Sequence, residues 1–464
     1  MGVRPLVIVG GGPAGVAAAI EAARAGLRPT LIDEAGGLGG QIYRPLPEGF
    51  TVRDARALGK DFRRGEELRA RFATVASSVD LLLGVAVLGI WEGRRLLCEG
   101  GEIEAERLIL ATGASDRPVP FPGWTLPGVL TAGGAQAIVK TMRVVPGRRA
   151  LVAGTGPLLP VVALQLHRAG VEVVAVLEAG RPPPLLASLP HVWREWGLLR
   201  DAWDLWRGLR RARIPLLFGH TVFEAAGAGE VERAVYGPVD PADWRPRRDG
   251  AKSVDVDLVV TGFGFVPNTE LSLLAGCDHE HAHELGGFVP VRDACMRTSV
   301  RHVLAAGDGS GVAGALVAIE EGSIAGITAA EDAGMLDAAE AARRRARPLR
   351  RLRSLSGVRR VLDAMSRIRP GLVELATPET VVCRCEEVLL SEVFTAFGRG
   401  AKDLQALKLM TRLGMGPCQG RNCGPSASAI CCKELGITPE SAGRIEPRPP
   451  VKPVTFGALA GDGE

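Results

Sequence analysis

Residues 6–33 constrain the fold of this chain more than any other stretch. Leu6-Val-Ile-Val-Gly10 is an unbroken apolar run, the pattern of a parallel strand covered on both faces. It feeds Gly10-Gly11-Gly12-Pro13-Ala14-Gly15 and then an Ala-rich stretch that reads as a helix through Ala25, stopped at Gly26. Pro29-Thr-Leu-Ile-Asp33 reads as a second strand closed by an acid. Strand, GxGxxG, helix, strand, acid is the order of a dinucleotide-binding βαβ unit. Gly10 permits the tight turn, and Gly12 lets backbone approach a pyrophosphate. Pro13 and Ala14 open the helix whose N-terminus faces that anion, and Gly15 lets helix and strand pack closely. Asp33 stands where a carboxylate accepts from ribose hydroxyls, with the adjacent Glu34 as the fallback.

A chain of 464 residues is too long for one core, so two or three domains are expected. Hydrophobic content of 46% with a net charge of +4 describes a soluble globular protein and gives no argument for nucleic acid. No apolar run reaches membrane-spanning length; residues 79–90 come nearest and are broken by Gly84 and Gly89. The N-terminus enters its first strand at once, leaving no room for a signal peptide. Nine cysteines in a chain this long do not resemble a disulfide scaffold. The expected location is a reducing cytoplasm.

A second, damaged fingerprint follows. Arg149-Ala-Leu-Val-Ala-Gly154-Thr-Gly156-Pro-Leu-Leu159 repeats strand and glycines, then comes a helix through Ala169 and the strand Val171-Glu-Val-Val-Ala-Val-Leu-Glu178. Leu159 replaces the third glycine, and Pro157 and Pro160 stiffen the turn. Two readings stand. Either the unit binds NAD(P) through Gly154, Gly156 and a ribose-holding Glu178, or it is kept for architecture or another nucleotide and Glu178 is a plain surface carboxylate. Asp257-Leu-Val-Val-Thr-Gly262-Phe-Gly264-Phe-Val-Pro267-Asn268 reads as the return to the first domain. The expected partition is a discontinuous first domain, 1–130 and 265–335, with a second Rossmann-like domain at 131–264. Trp193, Trp196, Trp203 and Trp206 recur at helical spacing, as packing or as a partner-binding face.

Three further segments decide the cofactor. Gly39-Gly40-Gln41 follows the second strand, where a flavin ring would lie. Thr112-Gly113 closes the apolar run Leu108-Ile-Leu-Ala111, and Gly307-Asp308 closes Val303-Leu-Ala-Ala, with an acid suited to a ribityl chain. In this order they resemble the FAD-binding half of two-dinucleotide-domain flavoproteins such as thioredoxin reductase and glutathione reductase, which implies an α/β fold holding FAD. The redox-active Cys pair of disulfide reductases is missing, and no Ser-His-Asp or paired-carboxylate set can be placed beside the flavin. Cys277-Asp-His279-Glu-His281-Ala-His283 reads as a polar surface turn rather than a zinc site.

Beyond Gly334 the chain becomes helical and Arg-rich; residues 336–377 are expected to be a linker presenting a solvated or docking face. Then come Cys383-Arg-Cys385 and Cys418-Gln-Gly-Arg-Asn-Cys423. Paired thiolates suit an iron–sulfur cluster or zinc, and the glycines around Cys418 let N–H groups turn toward sulfur. Ser391 is placed as the cap of one intervening helix and residues 404–413 as another. Cys431 and Cys432 read as packing, Cys98 and Cys295 as ordinary semi-buried thiols, and 446–464 as a Pro-rich tail. The module at 378–445 resembles the bacterioferritin-associated-ferredoxin type of [2Fe–2S] domain, which implies Cys383, Cys385, Cys418 and Cys423 as ligands.

Gly40-Gln41-Ile42-Tyr43-Arg44, the segment from Asp116-Arg-Pro-Val-Pro to Gly128, and Thr411-Arg-Leu-Gly-Met-Gly-Pro-Cys418 are more specific. They resemble the alpha (A) chain of heteromeric flavoprotein dehydrogenases. That group includes opine oxidases, D-hydroxyproline and L-proline dehydrogenases and hydrogen cyanide synthase; the chain is also similar to part of the alpha chain of heterotetrameric sarcosine oxidase. The resemblance spans about residues 4–445. It implies a D-amino-acid-oxidase-like beta subunit that oxidises an amine or amino acid, a small gamma subunit, FMN at a subunit interface, and a quinone or dye as acceptor. The cluster would then relay electrons from the partner's flavin to the FAD, and this chain would carry no catalytic residue of its own. Two rival expectations are a self-sufficient NAD(P)H-dependent ferredoxin-type reductase and a non-enzymatic redox-sensing protein.

Overall fold

The computed structural model describes residues 2–47, 49–50, 59–182 and 196–460. The chain divides into two compact units: residues 1–115, 266–355 and 446–464, and residues 116–265 with 356–445.

Among the described residues, the first unit is built on a five-stranded parallel sheet, ordered Val303–Ala305, Leu108–Leu110, Leu6–Val9, Pro29–Asp33, Asp80–Leu83. Leu6–Val9 is wholly buried at its centre, as an apolar run without alternation requires. The helix Pro13–Arg24 covers one face and packs on the helix Ala315–Asp332. Gly322 and Gly326 present bare backbone there to Ala14 and Ala18. An antiparallel sheet of Val87–Trp91, Arg95–Cys98 and Gly101–Glu104 covers the other face. Cys98 lies in that core, 3% exposed, deeper than a semi-buried thiol. Burial alone pushes it up to about 11.

The His-rich segment is a strand, not a surface turn. His279–Ala282 pairs antiparallel with Gly287–Pro290. His279 Nε2 lies 2.9 Å from Ser272 Oγ, its Nδ1 lies 2.8 Å from the Cys277 carbonyl, and the His281 ring meets Phe288 edge-on. Pairing with Gly287–Pro290 supplies the backbone ladder, and the return at His283–Gly286 joins the two strands of the hairpin.

The second unit repeats the plan. Its parallel sheet runs Leu216–Phe218, Glu172–Glu178, Arg149–Gly154, Leu258–Gly262, Val129–Thr131, and its antiparallel sheet is His220–Ala226, Arg233–Pro238, Lys252–Asp255. In the helix Trp196–Arg211, Leu209 is buried while Trp203 and Trp206 stack on each other in solvent, 54% and 42% exposed. Those two tryptophans therefore do not serve as core packing; Trp193 lies outside the described residues.

The same unit carries the C-terminal module. A hairpin of Val381–Cys383 and Val388–Leu389 precedes the helices Leu390–Gly398, Leu404–Thr411 and Gly424–Leu435. Ser391 does not cap the first of these: the helix already starts at Leu390, and the Leu389 N–H donates to Glu392 at 2.7 Å. Asp403 caps the next helix through the Ala406 N–H at 2.7 Å, a side-chain acceptor for an orphan donor. Trp124 Nε1 donates to the Val381 carbonyl at 2.6 Å and Ser426 Oγ to that of Pro118 at 2.9 Å. Among the described residues no helix is long and apolar enough to cross a membrane.

Candidate functional site

Dinucleotides bind where the carboxyl ends of parallel strands meet a helix N-terminus. In the first unit the sequence-predicted residues gather there. Gly10, with φ +106°, follows the strand Leu6–Val9, and its N–H donates to Ile32 at 2.8 Å. A Cβ on Gly10 would sit 2.2 Å from the Ala111 carbonyl oxygen, so the turn is pressed against the strand bearing Thr112-Gly113. Gly12 caps the helix Pro13–Arg24 without any side-chain hydrogen bond, which leaves the first N–H groups for an anion. The loop that carries Gly40 and the exposed Gln41 closes over this turn, with the Gly39 N–H donating to Gly11 at 2.8 Å. A Cβ on Gly12 would find nothing nearer than Gly40 Cα at 3.8 Å; that open space beside bare N–H groups fits a pyrophosphate.

Asp33 accepts from the Gly11 N–H through one oxygen and from the Ala35 N–H, at 2.7 Å, through the other. This fixes the carboxylate plane at the end of the second strand while leaving each oxygen a lone pair for a ribose hydroxyl. Exposed Glu34 follows it. Gly307-Asp308 completes the rim: a Cβ on Gly307 would lie 2.8 Å from Ala14 Cβ, and Asp308 Oδ1 accepts from the Ala313 and Gly314 N–H groups at 2.9 and 3.0 Å.

Two further side chains brace these turns. Asn268 staples the Thr112-Gly113 turn: its Nδ2 donates to the Thr112 carbonyl at 3.0 Å, its backbone N–H donates to Gly113 at 3.0 Å, and Ser115 Oγ donates to its Oδ1 at 2.7 Å. Behind Gly307, buried Glu321 takes a two-pronged ion pair from Arg292 at 2.7 and 2.9 Å and accepts from the Gly307 N–H at 2.9 Å. Asn268 directly after Pro267 is a usable signal; nothing local marks Glu321. Replacing Asn268 with Ala should cost about 1–3 kcal/mol, the size of buried groups left unpaired, and weaken FAD retention. Thermal unfolding with and without added FAD measures both effects.

In the second unit Glu178 is 7% exposed, not a surface carboxylate. It accepts from the Gly156 and Gly180 N–H groups, both at 2.8 Å, repeating the arrangement of Asp33 with Gly11 and Ala35. Burial pushes its carboxyl up, opposed by hydrogen bonds from Thr155, Gly180 and Gly156. Leu159 is fully buried and occupies the space left by Gly262, whose missing Cβ would lie 2.9 Å from Leu159 Cδ2. The helix here starts at Leu158.

The four module cysteines form two sulfur pairs, Cys383 with Cys423 and Cys385 with Cys418. The Cys423 thiol, donating to Cys383, brings Cys383 down to about 6, aided by the N–H groups of Gly414, Glu386 and Cys385, and the same pairing raises Cys423. Burial raises Cys385, against a bond from the Cys418 N–H. Cys383 and Cys423 are buried; Cys385 and Cys418 are half-exposed. Backbone N–H groups aimed at sulfur fit a thiolate-held cluster. As they stand, no group of three or more His, Cys, Asp or Glu among the described residues is disposed to hold a single metal ion, the His279–His283 segment included. Cys431 lies in the module core, where burial pushes it up to about 12, and Cys432 is half-buried.

Two dinucleotide-type α/β units, the first complete with fingerprint, acid and flavin-side turns, define a flavin oxidoreductase built for FAD. The chain belongs to the pyridine nucleotide-disulphide oxidoreductase family, which it matches over residues 4–334; residues 378–462 match the sarcosine oxidase A3 domain. It is 38% identical to the HcnB subunit of hydrogen cyanide synthase from Pseudomonas aeruginosa, over 99% of this chain and 98% of that one. The A chain of opine oxidase from Agrobacterium tumefaciens is 33% identical, over 98% and 91%. Among solved structures, L-proline dehydrogenase from P. horikoshii shares the fold, with a TM-score of 0.70, 23% identity, and coverage of 99% of this chain and 79% of that one.

Proposed function

We propose that this chain is the FAD-carrying electron-transfer subunit of a heteromeric dehydrogenase whose partner, a D-amino-acid-oxidase-like chain, oxidises an amino acid or secondary amine. The observation that carries the reading is similarity running end to end with chains named as subunits, of hydrogen cyanide synthase and of opine oxidase. It accords with a first unit that offers an FAD cradle. FAD is held by the turn at Gly10–Gly15, by Asp33, and by the turns at Gly40, Thr112 and Gly307. Cys383, Cys385, Cys418 and Cys423 hold a [2Fe–2S] cluster, which supplies one-electron transfer. The substrate candidates are glycine, an opine, proline and hydroxyproline. The final acceptor is a quinone, or a dye in the assay, and the setting is the cytoplasm.

Co-expression with the amino-acid-oxidase-like partner tests this. The two chains should co-purify and reduce an artificial acceptor with at least one of these substrates or sarcosine. A complex that forms and oxidises none of them refutes the reading. One observation favours a second reading, an NAD(P)H-dependent reductase: Glu178 sits in the second unit as Asp33 does in the first. NADH added anaerobically to the single chain should leave its flavin oxidised; rapid bleaching would favour that alternative.

A further inference from the structure

The C-terminal tail returns to the first unit. Val451 is 4% exposed, in the same apolar cluster as Val9 and Ile32, the residues just before Gly10 and Asp33. Its N–H donates to the Leu88 carbonyl at 2.8 Å, and Pro449 covers Gly89. This anchor delivers the next residue, Lys452, to the end of the strand Pro29–Asp33, where its ammonium pairs with Glu34. Burial pushes Lys452 down while Asp33 pulls it up, so Asp33 also lies within its field.

Two adjacent carboxylates are an unfavourable floor for a ligand carrying two phosphates, because like charges in a partly buried site repel. A lysine paired with Glu34 and within the field of Asp33 offsets that repulsion. We propose that Lys452 is a FAD-binding residue: carried back by the tail, it neutralises Asp33 and Glu34 and holds them in place for the adenosine half of the cofactor. The tail, far from the fingerprint in sequence, thereby becomes part of the FAD site. The proposal rests on the FAD reading of the first unit and does not require a partner subunit.

Lys452→Ala should weaken FAD binding to the deflavinated chain about tenfold, the size of one charge-assisted hydrogen bond. Lys452→Glu should weaken it further, and Lys452→Arg should restore most of it. ADP, a probe of the adenosine half, should lose competing affinity in the same order. The Val451 anchor stays, so the melting temperature of the deflavinated protein should hold. Wild-type FAD affinity in the Glu variant overturns the proposal, as does parallel loss of melting temperature and affinity that Arg does not rescue. In the unaltered chain, FAD should slow amide exchange across residues 446–460; unchanged exchange there also overturns it. An unaltered chain that binds no FAD would instead refute the cofactor assignment itself.

Discussion

Gly15→Ala should leave the chain without FAD. A Cβ at this position would lie 1.8 Å from the Gly10 carbonyl oxygen and 3.4 Å from Ile8 Cγ2. The first obstacle is backbone, in a turn that already holds Gly10 at φ +106°, so no side-chain rotation relieves it. The helix must lift off the strand, moving its N-terminal N–H groups away from the pyrophosphate. Overpacking of this kind costs about 1–3 kcal/mol, or several degrees in melting temperature for a protein with this much structure. The purified variant should lack the flavin's share of the visible absorption, and denaturation should release no FAD from it. A yellow, fully loaded Gly15→Ala protein would show that the fingerprint does not form the cradle described.

The second unit packs the same position differently. There Leu159 stands in place of the glycine, and Gly262, on the neighbouring strand, makes room for it. The matching place beside Gly10 is Ala111, because Val9 pairs with Leu110 as Ala153 pairs with Thr261. Ala111 carries a methyl group where Gly262 carries none. The damaged fingerprint is thus a repacked one, legible only once the two strands are seen side by side.

Cys418→Ser should abolish the visible absorption of the proposed cluster while FAD stays bound. Cys418 belongs to the half-exposed sulfur pair, and a Cβ on nearby Gly416 would lie 2.3 Å from Cys385 Cβ. The loop is therefore tight enough that losing one thiolate is not made good by a neighbour. Turnover with the partner should fall by more than the roughly 10–100-fold typical of losing an outer support of a metal site. FAD content, measured after denaturation, should be unchanged, because the cysteines and the fingerprint lie in different compact units. Loss of FAD together with the cluster would make these cysteines structural staples rather than redox ligands.

What the sequence discloses here follows from short-range pattern. The apolar run at Leu6–Val9, the three glycines and the terminal Asp33 each carry a local physical signature, and the structure brings them to the carboxyl ends of two adjacent strands of one sheet. What stays hidden depends on long-range contact. Glu321 supports Gly307 from within a helix whose own pattern is simply apolar, and Lys452 meets Glu34 across 418 residues. At His279–Ala282 the glycine neighbours suggest a turn, while pairing with Gly287–Pro290 decides for a strand. Helical spacing alone suits Trp203 and Trp206 to packing, yet it fits an exposed face equally well, and the exposed face is where they lie.

The central claim is that electrons from a partner's substrate reach the FAD of this chain. The most direct measurement is anaerobic: add an accepted amine or amino acid to the co-purified complex and follow the flavin absorption. Bleaching equivalent to both flavins, this chain's and the partner's, is the predicted result, falling to the partner's share alone in a complex carrying Gly15→Ala. Full reduction of the partner's flavin while this chain's FAD stays oxidised would contradict the account.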